Sequence, residues 1–149
     1  MTIARRRTVL LDTGPIVATL DARDQWHREC AQAMELLADR CITTEAVVTE
    51  ACYMIARGGA RGALVIEFLL AAEIPVLGLE LPALREAARL MDRYADVPMD
   101  FADASLVVLS HALSLLDAFT IDRRGFLAYR TARGAAFQLH PAISSGQTS

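Results

Sequence analysis

RRRTVLLDTGPIVATL, residues 5–20, is an apolar run broken in its middle by Asp12. TVLL has the composition of a strand buried on both faces, which parallel sheets require. The next residue carries a charge, and Gly14 and Pro15 then turn the chain. A carboxylate in this position is either the cap of the following helix, accepting backbone N–H groups, or part of a site at the carboxyl end of a central strand.

The pattern that follows supports the sheet. Short apolar runs alternate with helical stretches, so RTVLLD (7–12), CIT (41–43), IPVLGL (74–79), AFTID (118–122) and AFQLH (136–140) are predicted as strands. Helices are predicted after Pro15, near 24–39, from a Thr43 or Thr44 cap to Arg57, over 60–72, from Pro82 to Tyr94, and over 101–114. Strands separated by helices imply βαβ units, an α/β fold with a parallel sheet covered on both faces. Ligands of such folds gather where the strand order reverses, at the carboxyl ends of the strands. Asp12 and Asp122 both stand at such ends.

Composition narrows the function. With 149 residues the chain is read as one domain over 1–141, followed by a disordered tail over 142–149. Hydrophobic residues make up 54% and mean hydropathy is +0.31. That leaves apolar surface for a homodimer or a partner groove. The three N-terminal arginines and the apolar stretch after them imitate a signal peptide, but Asp12, Gly14 and Pro15 cut it short. ALVIEFLLAA (63–72) is too short to cross a bilayer. A soluble cytoplasmic protein is expected. Cys30, Cys41 and Cys52 form no CxxC pair and read as reduced cysteines, and the scattered His27, His111 and His140 suggest no histidine metal site. All fifteen basic residues are arginine. The absence of lysine excludes a Walker A loop and Schiff-base chemistry.

The remaining acids are unusual. Glu50, in VVTEACYMI, has Ala46, Val47, Tyr53 and Met54 as its helical neighbours, which places it in the interior or at a pocket rim. Glu45, in the first helical turn, reads as a dipole-favoured charge. Asp100 and Asp103 share a face at a helix start; Asp100 can be the N-cap, while Leu106 and Val107 on the face of Asp103 point it inward. Asp122 can equally start an Asx-turn. Several carboxylates converging at one sheet end would each cost roughly 4 kcal/mol per pair at ~4 Å and an effective dielectric of ~20, against a net stability of ~5–15 kcal/mol. Raised pKa values or a divalent cation would relieve this. An all-oxygen ligand set selects Mg²⁺, with Mn²⁺ possible, and suits phosphodiester hydrolysis.

VLLDTGPIVATLDARDQWH, TTEAVVTEACYMI, MDFADASLVVLSHAL and FTIDRRGFLAYRTARGAAFQLHP, in that order over residues 8–141, resemble the PIN-domain ribonucleases, and more narrowly the VapC-like toxins of bacterial toxin–antitoxin pairs. The resemblance implies a three-layer α/β/α fold with a sheet ordered 3-2-1-4-5. It implies metal-binding catalytic acids at Asp12, Glu50, Asp103 and Asp122, an extra acid at Asp100, and supporting hydroxyls at Thr13 and Thr120. It also implies Mg²⁺-dependent cleavage of RNA and a small antitoxin partner. Downstream of Asp122 the chain has no acid but carries Arg123, Arg124, Arg130 and Arg133, which would suit an RNA backbone or form a solvated basic face. Phe126 and Tyr129 read as core, as do the stripes Trp26, Cys30, Ala33, Leu37 and Leu64, Phe68, Ala71. Arg5–Arg7 enter strand one at the other pole. Two further readings remain: a non-catalytic RNA- or partner-binding module of the same fold, and an aspartyl-phosphate domain. The second lacks the lysine of receivers and the DxD of phosphatases.

Overall fold

Residues 7–142 are described by the computed structural model. Residues 1–6 and 143–149, which include Arg5, Arg6 and nearly all of the expected tail, lie outside the described residues. TVLL supplies the central strand β1 (Val9–Leu11), hydrogen-bonded in parallel to β2 (Cys41–Thr44) on one side and β4 (Asp117–Phe119) on the other. The edge strands are β3 (Val76–Leu77) beside β2 and β5 (Gln138–His140) beside β4. The resulting order is β3-β2-β1-β4-β5, all parallel. Successive strand residues face opposite sides, and Val9, Leu10 and Leu11 are all fully buried. Helices therefore cover both faces of the sheet.

Those helices are α1 (Thr13–Leu20), α2 (His27–Leu37), α3 (Glu45–Arg57), α4 (Ala63–Ala71), α5 (Leu81–Arg93), α6 (Phe101–Leu113) and α7 (Arg123–Ala128). α1 packs on α2 and α3, α5 on α6, and α3 also meets α4 and α6. Thr44 caps α3 by accepting from the Val47 N–H.

Four of the strands are shorter than the apolar runs that encode them, while β2 runs one residue past CIT. Strand four is predicted to reach Asp122 but ends at Phe119, because Thr120 and Asp122 use their side chains to turn the chain into α7. That helix has six residues, too few for a hydrophobic period to mark it in the sequence. β3 is cut to two residues behind Pro75, which has no N–H to give a ladder; its carbonyl accepts from Thr43 N. The helix expected near 24–39 starts at His27, and a 3₁₀ turn over Ala38–Arg40 completes it. In α4 the buried residues are Val65 and Leu69, one position along from the predicted stripe. Leu64 and Phe68 are half-buried and Ala71 is exposed.

At the amino-terminal pole of the sheet, Asp117 is buried and paired with Arg7 (Nε–Oδ2 3.1 Å) and His140 (Nε2–Oδ1 3.0 Å). Arg7 is thus occupied away from the carboxyl ends of the strands. Phe126, Tyr129 and Phe137 are buried in the core. Phe126 meets both Tyr129 and Phe137 edge to face, and Tyr94 meets Tyr129 in the same way. This cluster fixes the position of the Tyr129 hydroxyl.

Candidate active site

The chain leaves β1 at Asp12, whose backbone N–H still donates to Phe119 O across the sheet. Its side chain is the N-cap of α1: Oδ1 accepts from Thr13 N at 2.8 Å. Oδ2 accepts from the Thr120 hydroxyl at 2.7 Å. Thr120 Oγ1 in turn accepts from Asp122 N at 2.9 Å, so one hydroxyl ties the ends of β1 and β4 together. Asp122 caps α7 through Oδ1, which accepts from Gly125 N at 3.1 Å. A Cβ on Gly125 would lie 2.6 Å from Asp122 Oδ2 and 3.0 Å from the Tyr129 hydroxyl, so glycine is what lets those groups approach.

Asp100 and Asp103 form a reciprocal capping box at the start of α6. Asp100 Oδ1 accepts from Asp103 N at 2.8 Å and Asp103 Oδ2 accepts from Asp100 N at 3.3 Å. The Tyr129 hydroxyl also donates to Asp103 Oδ2 at 3.2 Å. Burial pushes that phenol's pKa well up, so it remains a donor. Glu50 comes from the middle of α3, half-buried.

These five carboxylates line a single cavity of about 280 Å³, together with Thr13, Gly14, Met54, Pro98 and Ile121. Asp12 and Asp103 are buried, while Asp100 and Asp122 stand exposed at its rim. Three helix N-termini, of α1, α6 and α7, bring partial positive charge to the cavity, but no basic side chain lines it. Asp12, Glu50 and Asp103 are correspondingly hard to ionise. Burial raises the pKa of Asp12 to about 6, against the hydrogen bonds from Thr120 and Thr13 that lower it. Burial raises Asp103 to about 8, with the charges of Asp12 and Asp100 adding to the effect. Glu50 rises to about 7, again mainly through burial; Thr13 opposes this and the adjoining Asp100 carboxyl reinforces it.

The donor set suits a hard divalent cation. Every polar side chain lining the cavity offers oxygen, and the Thr13 hydroxyl is buried without a well-formed hydrogen bond. Among the described residues no three acids, histidines or cysteines close into a ready-made ligand cluster. A cation held here would complete its shell with water or substrate oxygen, as Mg²⁺ commonly does.

The four arginines separate. Arg123 and Arg124 stand beside Asp122, lining a neighbouring cavity. Arg130 donates to Leu127 O and Tyr129 O and so closes the end of α7. Arg133 lies with Ser114 and Leu116 at the opposite pole. Tyr129 was expected only as core; it is core and also a hydrogen-bond donor to Asp103. No sequence pattern signals that contact, which depends on how the aromatic cluster packs.

A family model described as PIN domain matches residues 9–132. Ribonuclease VapC26 of Mycobacterium tuberculosis (strain ATCC 25618 / H37Rv) is 29% identical over 135 residues, covering 89% of this chain and all of that protein. Among solved structures, Mycobacterium tuberculosis VapC20, a sarcin–ricin loop cleaving toxin, superposes with a TM-score of 0.72 at 15% identity, covering 78% of this chain and 91% of that one. A toxin–antitoxin complex from Klebsiella pneumoniae gives 0.60 at 16% identity, covering 81% and 92%. VapBC2 from Rickettsia felis, bound to a DNA fragment from its promoter, gives 0.62 at 12% identity, covering 89% and 96%.

Proposed function

The chain belongs to the PIN domain family, and we propose that it is a divalent-cation-dependent endoribonuclease acting as the toxin of a toxin–antitoxin pair. One observation carries this reading: five carboxylates line one cavity with no basic side chain among them. The neighbouring Asp100 and Asp12 carboxyls both push the Glu50 pKa up. Such an arrangement resists full ionisation unless a cation compensates it.

Asp12, Glu50, Asp103 and Asp122, with Asp100 at the rim, would hold Mg²⁺ or Mn²⁺. When bound, the cation lowers the pKa of a water and neutralises charge developing on the phosphate. The chain's own groups do the rest. Thr120 fixes Asp12 and Asp122 relative to each other. Tyr129 holds Asp103 in its orientation. Glu50, half-buried, reaches the cavity from the middle of α3. Arg123 and Arg124 offer guanidinium forks to an RNA backbone arriving beside Asp122.

The reading treats residues 1–141 as one catalytic domain working in the cytoplasm. Among the described residues no helix is long and apolar enough to cross a membrane. An antitoxin partner is supported by the relatives that are toxin–antitoxin complexes. A homodimer is supported by Ile66, Leu70 and Val76, exposed along a groove beside α4. Light scattering after size exclusion should give twice the chain mass at high concentration; a strict monomer would remove the dimer from the reading.

The activity is tested by incubating the protein with structured RNA, with and without Mg²⁺ or Mn²⁺, beside Asp12→Asn and Asp103→Asn. Internal cuts that require the cation and fall at least about 100-fold in both variants are expected. Equal cleavage by all three proteins, or none under any cation, rejects the reading.

A further inference from the structure

Ile121 and Asp122 line two cavities at once. One is the acidic cavity. The other, of about 390 Å³, lies beside it and has a different character. Trp26 and Glu29 line it together with Arg123 and Arg124 at the start of α7. Trp26 is half-buried and is the chain's only tryptophan. Arg123 is steadied by donating to Pro141 O. Arg124 is exposed and holds no ion pair or hydrogen bond among the described residues.

We propose that this second cavity is a nucleotide subsite: it receives the base next to the phosphate at the carboxylates, with the Trp26 indole as its stacking face. The proposal rests on the nuclease reading above. Its volume falls within the ~300–1,000 Å³ range of small-ligand sites. An indole face accepts any nucleobase by stacking, and guanidinium groups match phosphate. The Glu29 carboxylate can accept from base N–H groups, and it repels phosphate, which keeps the anionic part of the nucleotide on the arginine side. The subsite also answers an electrostatic need. Five carboxylates repel a polyanion, so RNA requires an anchor outside the acidic cavity but contiguous with it. Ile121 and Asp122 provide that continuity.

Tryptophan fluorescence tests this directly, because every indole signal comes from Trp26. In EDTA, where cleavage is suppressed, the four ribonucleoside 5′-monophosphates should quench the emission saturably, and ribose 5-phosphate, which lacks a base, should not. Arg124→Ser should weaken the quenching several-fold. In Mg²⁺, Trp26→Ala should raise KM for a short oligoribonucleotide about tenfold with a smaller change in kcat. Trp26→Phe, which preserves apolar packing and an aromatic face, should recover most of that loss. Nucleotides that quench no better than ribose 5-phosphate, with cleavage indifferent to Trp26→Ala and Arg124→Ser, overturn the proposal. Normal cleavage without base-dependent quenching retires the subsite alone. Base-dependent quenching in a protein that cuts no RNA retires the nuclease reading and leaves a nucleotide site.

Discussion

Thr120 is a small residue with a large reach. Its hydroxyl donates to Asp12 and accepts from Asp122 N, so it sets the relative position of two acids that lie on different strands' ends. It also holds down the pKa of Asp12 against burial. Thr120→Val keeps the shape and removes the hydroxyl. The expected result is a loss of about 10–100-fold in cleavage, with the rising limb of the pH–rate profile displaced to higher pH, because Asp12 ionises later. Thr120→Ser should restore both. An unshifted profile would mean that the hydroxyl does not govern Asp12. Asp12 itself illustrates what the sequence could reveal. There, cap and ligand are rival readings; in the structure one carboxylate caps α1 and faces the cavity, since its two oxygens each retain a free lone pair after one hydrogen bond.

At the scale of the element, the capping box of α6 sets stability against charge. Asp100 ends the orphaned N–H of Asp103 but adds negative charge beside Glu50, Asp12 and Asp103. Asparagine caps as well as aspartate does, so Asp100→Asn separates the two effects. Thermal melts in EDTA should show the variant more stable than the wild type by about 1 kcal/mol, while calorimetric titration with Mn²⁺ shows weaker binding. Asp100→Ala loses the cap as well, worth about 1 kcal/mol, and should melt close to the wild type. A wild-type Mn²⁺ affinity in Asp100→Asn would remove that residue from the ligand set. Elements also mark the limit of sequence reading. The apolar runs located all five strands, yet α7 is too short to show a period. The place of Arg133 depends on how the loop before β5 turns, and the four arginines look equivalent until that loop is folded.

For the whole molecule, the raised acids make stability depend on pH. A carboxyl whose pKa is higher folded than unfolded binds its proton more tightly in the native state, so stability falls as pH rises through the interval between the two values. For Asp12, Glu50 and Asp103 that interval runs from about 4 to about 8. Asp12, fully enclosed, contributes about 3 kcal/mol of this fall. About half of that fall lies above pH 5, so in EDTA the melting temperature should drop by roughly 4 °C more between pH 5 and pH 8 in the wild type than in Asp12→Asn. Adding Mn²⁺ at pH 8 should recover it in the wild type alone. Parallel pH curves for the two proteins would show that the acids are relieved by some other means. The sheet order implied by the resemblance is the one observed, and it makes β1 and β4 neighbours. The contact of Tyr129 with Asp103 was not legible, because no local pattern encodes an edge-to-face aromatic cluster.

That same order bears on how the chain is made. Asp12 and the Thr120 hydroxyl that fixes it are 108 positions apart, and Tyr129, which steadies Asp103, follows later still. A chain emerging from the ribosome presents Asp12 long before Thr120 and Tyr129, and it cannot assemble the cavity until they have been translated and β4 has slotted in beside β1. Synthesis therefore separates the appearance of the first acid from the assembly of the cavity that uses it.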